Sequence, residues 1–122
     1  MRTYKTLLAG AIIIGTSLTI AGTANAALTD CTGTQMCMWG NNDFVFLIAA
    51  RTPLNSTIVN LTGDANNEMD SWQNRSPTYD GCMWANNDGT GDAQTSHKAD
   101  SDNNVSPLNS DEVSSYRARV GC

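Results

Sequence analysis

The sequence predicts an all-β fold, a sandwich of two Greek-key motifs produced by an internal duplication, and three observations carry that expectation. Cys37-Met38-Trp39-Gly40-Asn41-Asn42-Asp43 returns 45 residues later as Cys82-Met83-Trp84-Ala85-Asn86-Asn87-Asp88. Asn66 to Arg75 aligns, 44 positions on, with Ser110 to Arg119, through Glu68 and Glu112, Ser71 and Ser115, and Arg75 and Arg119. Two landmarks in the same order, twice, indicate duplication rather than chance. Between them the apolar segments are short and punctuated by Asn, Asp, Gly and Pro, and no stretch of residues 27–122 is patterned for a helix of three turns.

The element order starts after a leader. Arg2 and Lys5 form a basic start, Leu7 to Ile20 is largely apolar and uncharged, and Ala24-Asn25-Ala26 has the small-x-small pattern of a cleavage site. Residues 1–26 therefore read as a secretory signal peptide, too short in their apolar run for a retained bilayer anchor. Residues 27–122 are expected to form one domain, with the first Greek key at about 31–76 and the second at about 77–122. A chain of this size buries roughly 60–65% of its surface, which supports one small core.

Each element has its own local reason. Met36 to Trp39 is a strand signal, and Asn41-Asn42-Asp43 follows with side chains that bond their own backbone and tolerate left-handed conformations. Phe44 to Ala49 is an apolar run of strand length, Arg51 to Asn55 turns at Pro53, and Ser56 to Leu61 alternates with β-branched Thr57, Ile58 and Val59. After a polar loop at 62–67, Asp70 to Arg75 makes the fourth strand. The second unit repeats this with Tyr79 to Trp84 and the turn at Asn86-Asn87-Asp88-Gly89. Residues 89–104 are so polar that any strand there must be poor and exposed, and they read as a solvated linker. Val105 to Leu108 is brief, and Val113 to Val120 closes the unit with Tyr116, Ala118 and Val120 on its buried face.

All four cysteines, Cys31, Cys37, Cys82 and Cys122, lie beyond the leader, and an even number in a small exported chain suggests two disulfides. Three pairings are open. The favoured one joins Cys31 to Cys37 across a short loop containing Gly33 and Cys82 to Cys122, tying the chain end to the second unit. Zinc is disfavoured, because the spacing is not CxxC and His97 is the one histidine. Without the leader the chain carries 5 basic and 12 acidic residues, a net charge of −7. That balance opposes nucleic acid and anionic membrane surfaces as partners, and it leaves carboxylates for cations.

At the repeated landmarks the chain resembles the βγ-crystallins, whose first hairpin is marked by an aromatic, four residues, a second aromatic, one residue and a glycine. Trp39, Phe44 and Phe46 keep both aromatics without the glycine. Trp84, Gly89 and Gly91 keep the glycine without the second aromatic. The family's second signature is Asn/Asp, Asn/Asp, two free residues, Ser/Thr, Ser. Asn66-Asn67-Glu68-Met69-Asp70-Ser71 departs from it at the fifth place and Ser110-Asp111-Glu112-Val113-Ser114-Ser115 at the first. The resemblance implies calcium as a ligand, with side chains of Asn67 and Asp70 in one site and of Asp111 and Ser114 in the other. Carbonyls of Glu68 and Glu112 would join them, with one more from the opposite copy near Gly40 or Ala85. Calcium takes six to eight hard oxygens of these kinds. The competing reading is that the same residues only cap strand ends.

Over residues 27–122 the chain is also similar to secreted βγ-crystallin-like proteins of the peptidase inhibitor family I36, related to the Streptomyces metalloproteinase inhibitor. The shared features are Cys31-x5-Cys37, Cys37-Met38-Trp39, Ser71-Trp72-Gln73-Asn74-Arg75, and the ending Asp111-Glu112-Val113-Ser114-Ser115 with a terminal Cys122. That resemblance implies a secreted, monomeric inhibitor that binds an extracellular peptidase, by family analogy a metallopeptidase, in a stoichiometric complex. Rigid exposed loops would be required, and Ala49 to Ser56 and Gly89 to Asn104 are the candidates. Two other readings stand beside it: a calcium-binding structural or stress module, and an exported toxin-like antimicrobial protein.

An enzyme is the least favoured class. His97 lies in a polar stretch with no nucleophile signature, and Asp100 and Asp102 sit in an acidic run where carboxylates are usually solvated. Trp39 and Trp84, at corresponding strand positions, are expected in the core, and Trp72 joins them as an aromatic that could otherwise stack on a sugar.

Overall fold

The computed structural model describes residues 30–105 and 110–122. The leader expected at 1–26 and most of the segment expected at Val105 to Leu108 lie outside the described residues. Among the described residues eight strands form two antiparallel sheets: β1 (Met36–Asn41), β2 (Val45–Arg51), β3 (Val59–Asn60), β4 (Ser71–Asn74), β5 (Gly81–Asn86), β6 (Thr90–Ser96), β7 (Asp100–Asp102) and β8 (Ser115–Arg117). The helical content of the described residues is a single 3₁₀ turn at Gly63–Ala65, whereas the tight turns at Asn42–Phe44 and Asn87–Gly89 pass through left-handed φ values at Asp43 and Asp88.

The sheet orders are β2-β1-β4-β7 and β3-β8-β5-β6. Each sheet therefore takes three strands from one half of the chain and its edge strand from the other half. β3, from the first half, pairs with β8, Val59 opposite Tyr116, and β7, from the second, pairs with β4, Trp72 opposite Asp102. This exchange locks the halves together through backbone hydrogen bonds as well as side-chain packing.

Period-two alternation explains the core. In β1, Met36 and Met38 face the other sheet, where they join Leu61, Met69, Trp72, Met83, Val105, Val113, Tyr116 and Ala118 in one buried cluster. Cys37 and Trp39, on the opposite face, form a second cluster with Cys31, backed by Phe44 and Leu47. The Trp39 and Phe44 rings meet edge to face at 5.2 Å, the arrangement favoured by ring quadrupoles. In the second half Gly89 stands where Phe44 does. The space is taken by Ile58, whose Cδ1 lies 2.7 Å from where a Cβ on Gly89 would stand, and Arg117 lies over the Trp84 ring at 5.1 Å. All three tryptophans are buried, Trp39 and Trp84 as expected from their corresponding strand positions.

Both disulfides form in the favoured pairing, Cys31 with Cys37 and Cys82 with Cys122. The first closes the entry to β1, where Arg75 Nη1 also donates to the Cys31 carbonyl at 2.8 Å. The second returns the chain end to β5.

Three expectations are corrected. The strand expected over Ser56 to Leu61 shrinks to Val59–Asn60, because the Thr57 amide is turned onto Asn55 Oδ1 at 3.1 Å and β8 offers only three residues to pair with. The stretch 89–104 is not a linker: it supplies β6, paired along β5 from Gly81 and Ser96 to Asn86 and Thr90, and β7. Its polarity is that of edge strands facing solvent. Val120 is 52% exposed rather than buried, since β8 ends at Arg117 and Val120 takes a left-handed φ of 71° as the chain bends toward Cys122.

Candidate functional site

The two hairpins that open each half share one backbone path. Asp43 and Asp88 both have φ 59°, Phe44 and Gly89 have 60° and 69°, and Phe46 and Gly91 have 67° and 80°. The last serine of each second signature fastens its hairpin. Ser71 Oγ donates to the Asn41 carbonyl at 2.7 Å and accepts from the Phe44 amide at 3.1 Å. Ser115 Oγ does the same with Asn86 at 2.6 Å and Gly89 at 3.0 Å. These hydroxyls are committed to structure.

The remaining signature residues face each other across the two halves, and their backbone bonds come in pairs. The Asn67 amide donates to the Val113 carbonyl at 3.0 Å and the Asp111 amide to that of Met69 at 3.2 Å. The Asp70 and Ser114 amides reach Trp39 and Trp84 carbonyls, each at 2.9 Å, and Leu61 and Val105 amides reach Ser114 and Asp70 carbonyls at 2.8 and 3.0 Å. Asn67 and Asp111 adopt left-handed φ values of 60° and 57°, which Asn and Asp tolerate better than other residues.

This crossing regroups the residues named from the sequence. Asn67 is brought to Ser114, whose Oγ donates to Asn67 Oδ1 at 2.9 Å, whereas the resemblance placed Asn67 with Asp70. Asp70 instead accepts from Ser110 Oγ. Asn67, Asp111 and Glu112 line one groove together with Ala85 and Asn86 of the β5 end and Gly91 and Asp92 of β6. Glu68 lies in the other half, where its carbonyl oxygen is 3.4 Å from where a Cβ on Gly40 would stand. The sequence marks Gly91 only as the hairpin glycine and does not single out Asp92; at the 45-residue offset they align with Phe46 and Leu47.

The donor set suits a hard cation. It offers an amide oxygen, a hydroxyl, three carboxylates and nearby carbonyls, with no sulfur or imidazole, which is the chemistry that calcium prefers over zinc or copper. Next to Asn67, the Oδ1 of Asn66 is buried without a donor among the described residues. No group of three or more His, Cys, Asp or Glu side chains converges as a metal cage among the described residues, so any cation held here would rest on neutral oxygens as much as on carboxylates.

His97 is exposed. Asp100 Oδ1 accepts from the Ser101 amide at 2.8 Å and Asp102 Oδ1 from the Asn104 amide at 3.0 Å, so both carboxylates serve their own turns. The 49–56 stretch is different: Leu54 projects with 78% exposure while Pro53 beside it is buried. Asn55 Oδ1 accepts from Arg51 at 3.4 Å and the Leu54 carbonyl from Arg119 at 3.4 Å.

No protein-family model matches the sequence, and no curated protein matches it significantly. Solved structures do match. A chain from work on the evolution of the eye lens βγ-crystallin domain fold superposes with a TM-score of 0.58 at 12% identity, covering 69% of this chain and 83% of that one. A βγ-crystallin domain from Flavobacterium johnsoniae gives 0.53 at 15% identity, over 67% and 90% of the two chains. The N-terminal domain of Protein S gives 0.51 at 24% identity, over 68% and 92%. With its exchanged edge strands and paired signature loops, the chain has the βγ-crystallin fold.

Proposed function

We propose that this protein is a non-enzymatic βγ-crystallin-type module that binds calcium and works outside the cell as a stabilised structural or stress protein. The carrying observation is the contact of Ser114 Oγ with Asn67 Oδ1 at 2.9 Å, which joins the signature loops of both halves at the mouth of an acidic groove. A cation taken there would replace a hydroxyl-to-amide bond by direct ligation from both oxygens and would draw on Asp92, Asp111 and Glu112. It would thereby tie one half of the chain to the other. Two disulfides support an oxidising compartment.

Thermal unfolding with chelator and with calcium tests this. Because a ligand held only by the folded state stabilises by about 2.7 kcal/mol at a hundredfold excess over Kd, calcium at that excess should raise the melting temperature by roughly 10–20 °C. Identical melts would leave the loops as strand caps and sink the proposal.

The Leu54 projection supports a second reading, a stoichiometric peptidase inhibitor. A loop braced by Asn55 and Arg119 with an apolar side chain held outward is preorganised for a protease cleft. Titration against a thermolysin-like metallopeptidase decides it: loss of activity at one equivalent is expected under this reading, and full activity at a large excess would remove it for that class.

A further inference from the structure

Resting on the calcium reading above, we propose that the two halves are unequal cation sites: the groove beside Gly91 admits one calcium ion, and Phe46 closes its counterpart. The duplication makes the comparison internal. At the 45-residue offset Gly40 corresponds to Ala85, Phe46 to Gly91 and Leu47 to Asp92, and at the 44-residue offset Glu68 corresponds to Glu112.

On the open side, Gly91 contributes no side chain, and a Cβ there would stand 2.6 Å from Asn86 Nδ2. The position needs glycine for both space and its φ of 80°. Asp92 follows it and lines the groove with a carboxylate. On the closed side Phe46 approaches Gly40, its Cδ1 3.6 Å from where a Cβ on that residue would stand, and the Glu68 carbonyl oxygen is 3.4 Å from the same point. That carbonyl corresponds to Glu112, on the open groove. Leu47 replaces the carboxylate and packs instead on the Trp39 cluster. Asp70, in the place of Ser114, is engaged by Ser110.

Core packing does not explain Phe46. Its side chain is 70% exposed, yet its backbone takes φ 67°, a conformation in which a bulky residue is a genuine outlier. Strain of this kind persists where the surroundings over-determine it and points to a function for the position. Here the function is to occupy the cation groove, leaving the protein with a single linking ion between halves.

Equilibrium dialysis with labelled calcium on the protein with both disulfides intact measures the stoichiometry. One ion per chain is expected for the wild type and two for Phe46→Gly. Phe46→Ala, which opens the groove but keeps a Cβ at the left-handed position, should also take two, separating occlusion from backbone strain. Ser114→Ala should lose the wild-type ion while keeping its far-ultraviolet circular dichroism spectrum. Two ions in the wild type would overturn the inequality and leave the calcium reading standing. One ion in both Phe46 variants would overturn the role of Phe46, and no binding in any variant would overturn both.

Discussion

Replacing Ser71 by alanine removes a hydroxyl that is wholly buried and holds the tip of the first hairpin from both sides. Two hydrogen bonds go, to the Asn41 carbonyl and from the Phe44 amide. Each is worth about 1 kcal/mol net, and an amide left without a partner at a part-buried site adds about 1 kcal/mol or more. The expected loss is thus about 3 kcal/mol. For a domain of this size each kcal/mol moves Tm by roughly 4–8 °C, so Ser71→Ala should melt at least about 12 °C below the wild type. Urea unfolding followed by tryptophan fluorescence gives the free energy directly, since Trp39 sits on the hairpin concerned. Ser115→Ala repeats the test in the other half, where the bonds run to Asn86 and from Gly89. The two serines fasten different sheets, so the double variant should lose the sum of the single losses within about 0.5 kcal/mol. A loss below about 0.5 kcal/mol for either single variant would refute the view that these hydroxyls hold the hairpins.

The disulfides should differ in worth. They close chain separations of 6 and 40 residues, and loop-closure entropy gives about 2 kcal/mol for the first and about 4 kcal/mol for the second. Paired Cys→Ser variants compared by urea midpoint should rank in that order, and the reverse order would show that native-state packing outweighs chain entropy. Tyr116 sets an alkaline limit. Burial raises its pKa above the ordinary 10.0, opposed in part by the charge of Arg51. The folded state thus holds this proton more tightly than the unfolded state. Its contribution is complete below pH 10.0 and is lost as pH climbs through the raised value. Unfolding free energy should fall above that pH in the wild type and less steeply in Tyr116→Phe; parallel curves would exclude Tyr116 as the cause.

Much of the fold was legible because its signals are local. The opening hairpins could be read from Cys-Met-Trp followed by Asn-Asn-Asp, since turn chemistry and strand alternation act over a few residues. The same holds for the burial of Trp39 and Trp84. The short separation of Cys31 and Cys37 also pointed to its pairing. Residues 90–102 were misread for a physical reason. Backbone hydrogen bonding is indifferent to composition at an edge strand whose outer face meets water, so β6 and β7 look like linker in the sequence. Val120 was misplaced because alternation was carried past Arg117, where the strand ends.

The candidate site was legible as residue types but not as a grouping. By itself the sequence pointed to a duplicated, disulfide-stapled β protein and marked Asn67, Glu68, Asp70, Asp111, Glu112 and Ser114 as oxygen-bearing residues at corresponding places of the two halves. Only the tertiary structure decided which of them meet. Exchange of β3 and β7 between sheets brings the loop of one half over the hairpin of the other, so Asn67 finds Ser114 and not Asp70. It also gave Phe46 and Gly91 a common left-handed backbone, so that one half sets a ring atom beside Gly40 where the other leaves a groove lined by Asp92.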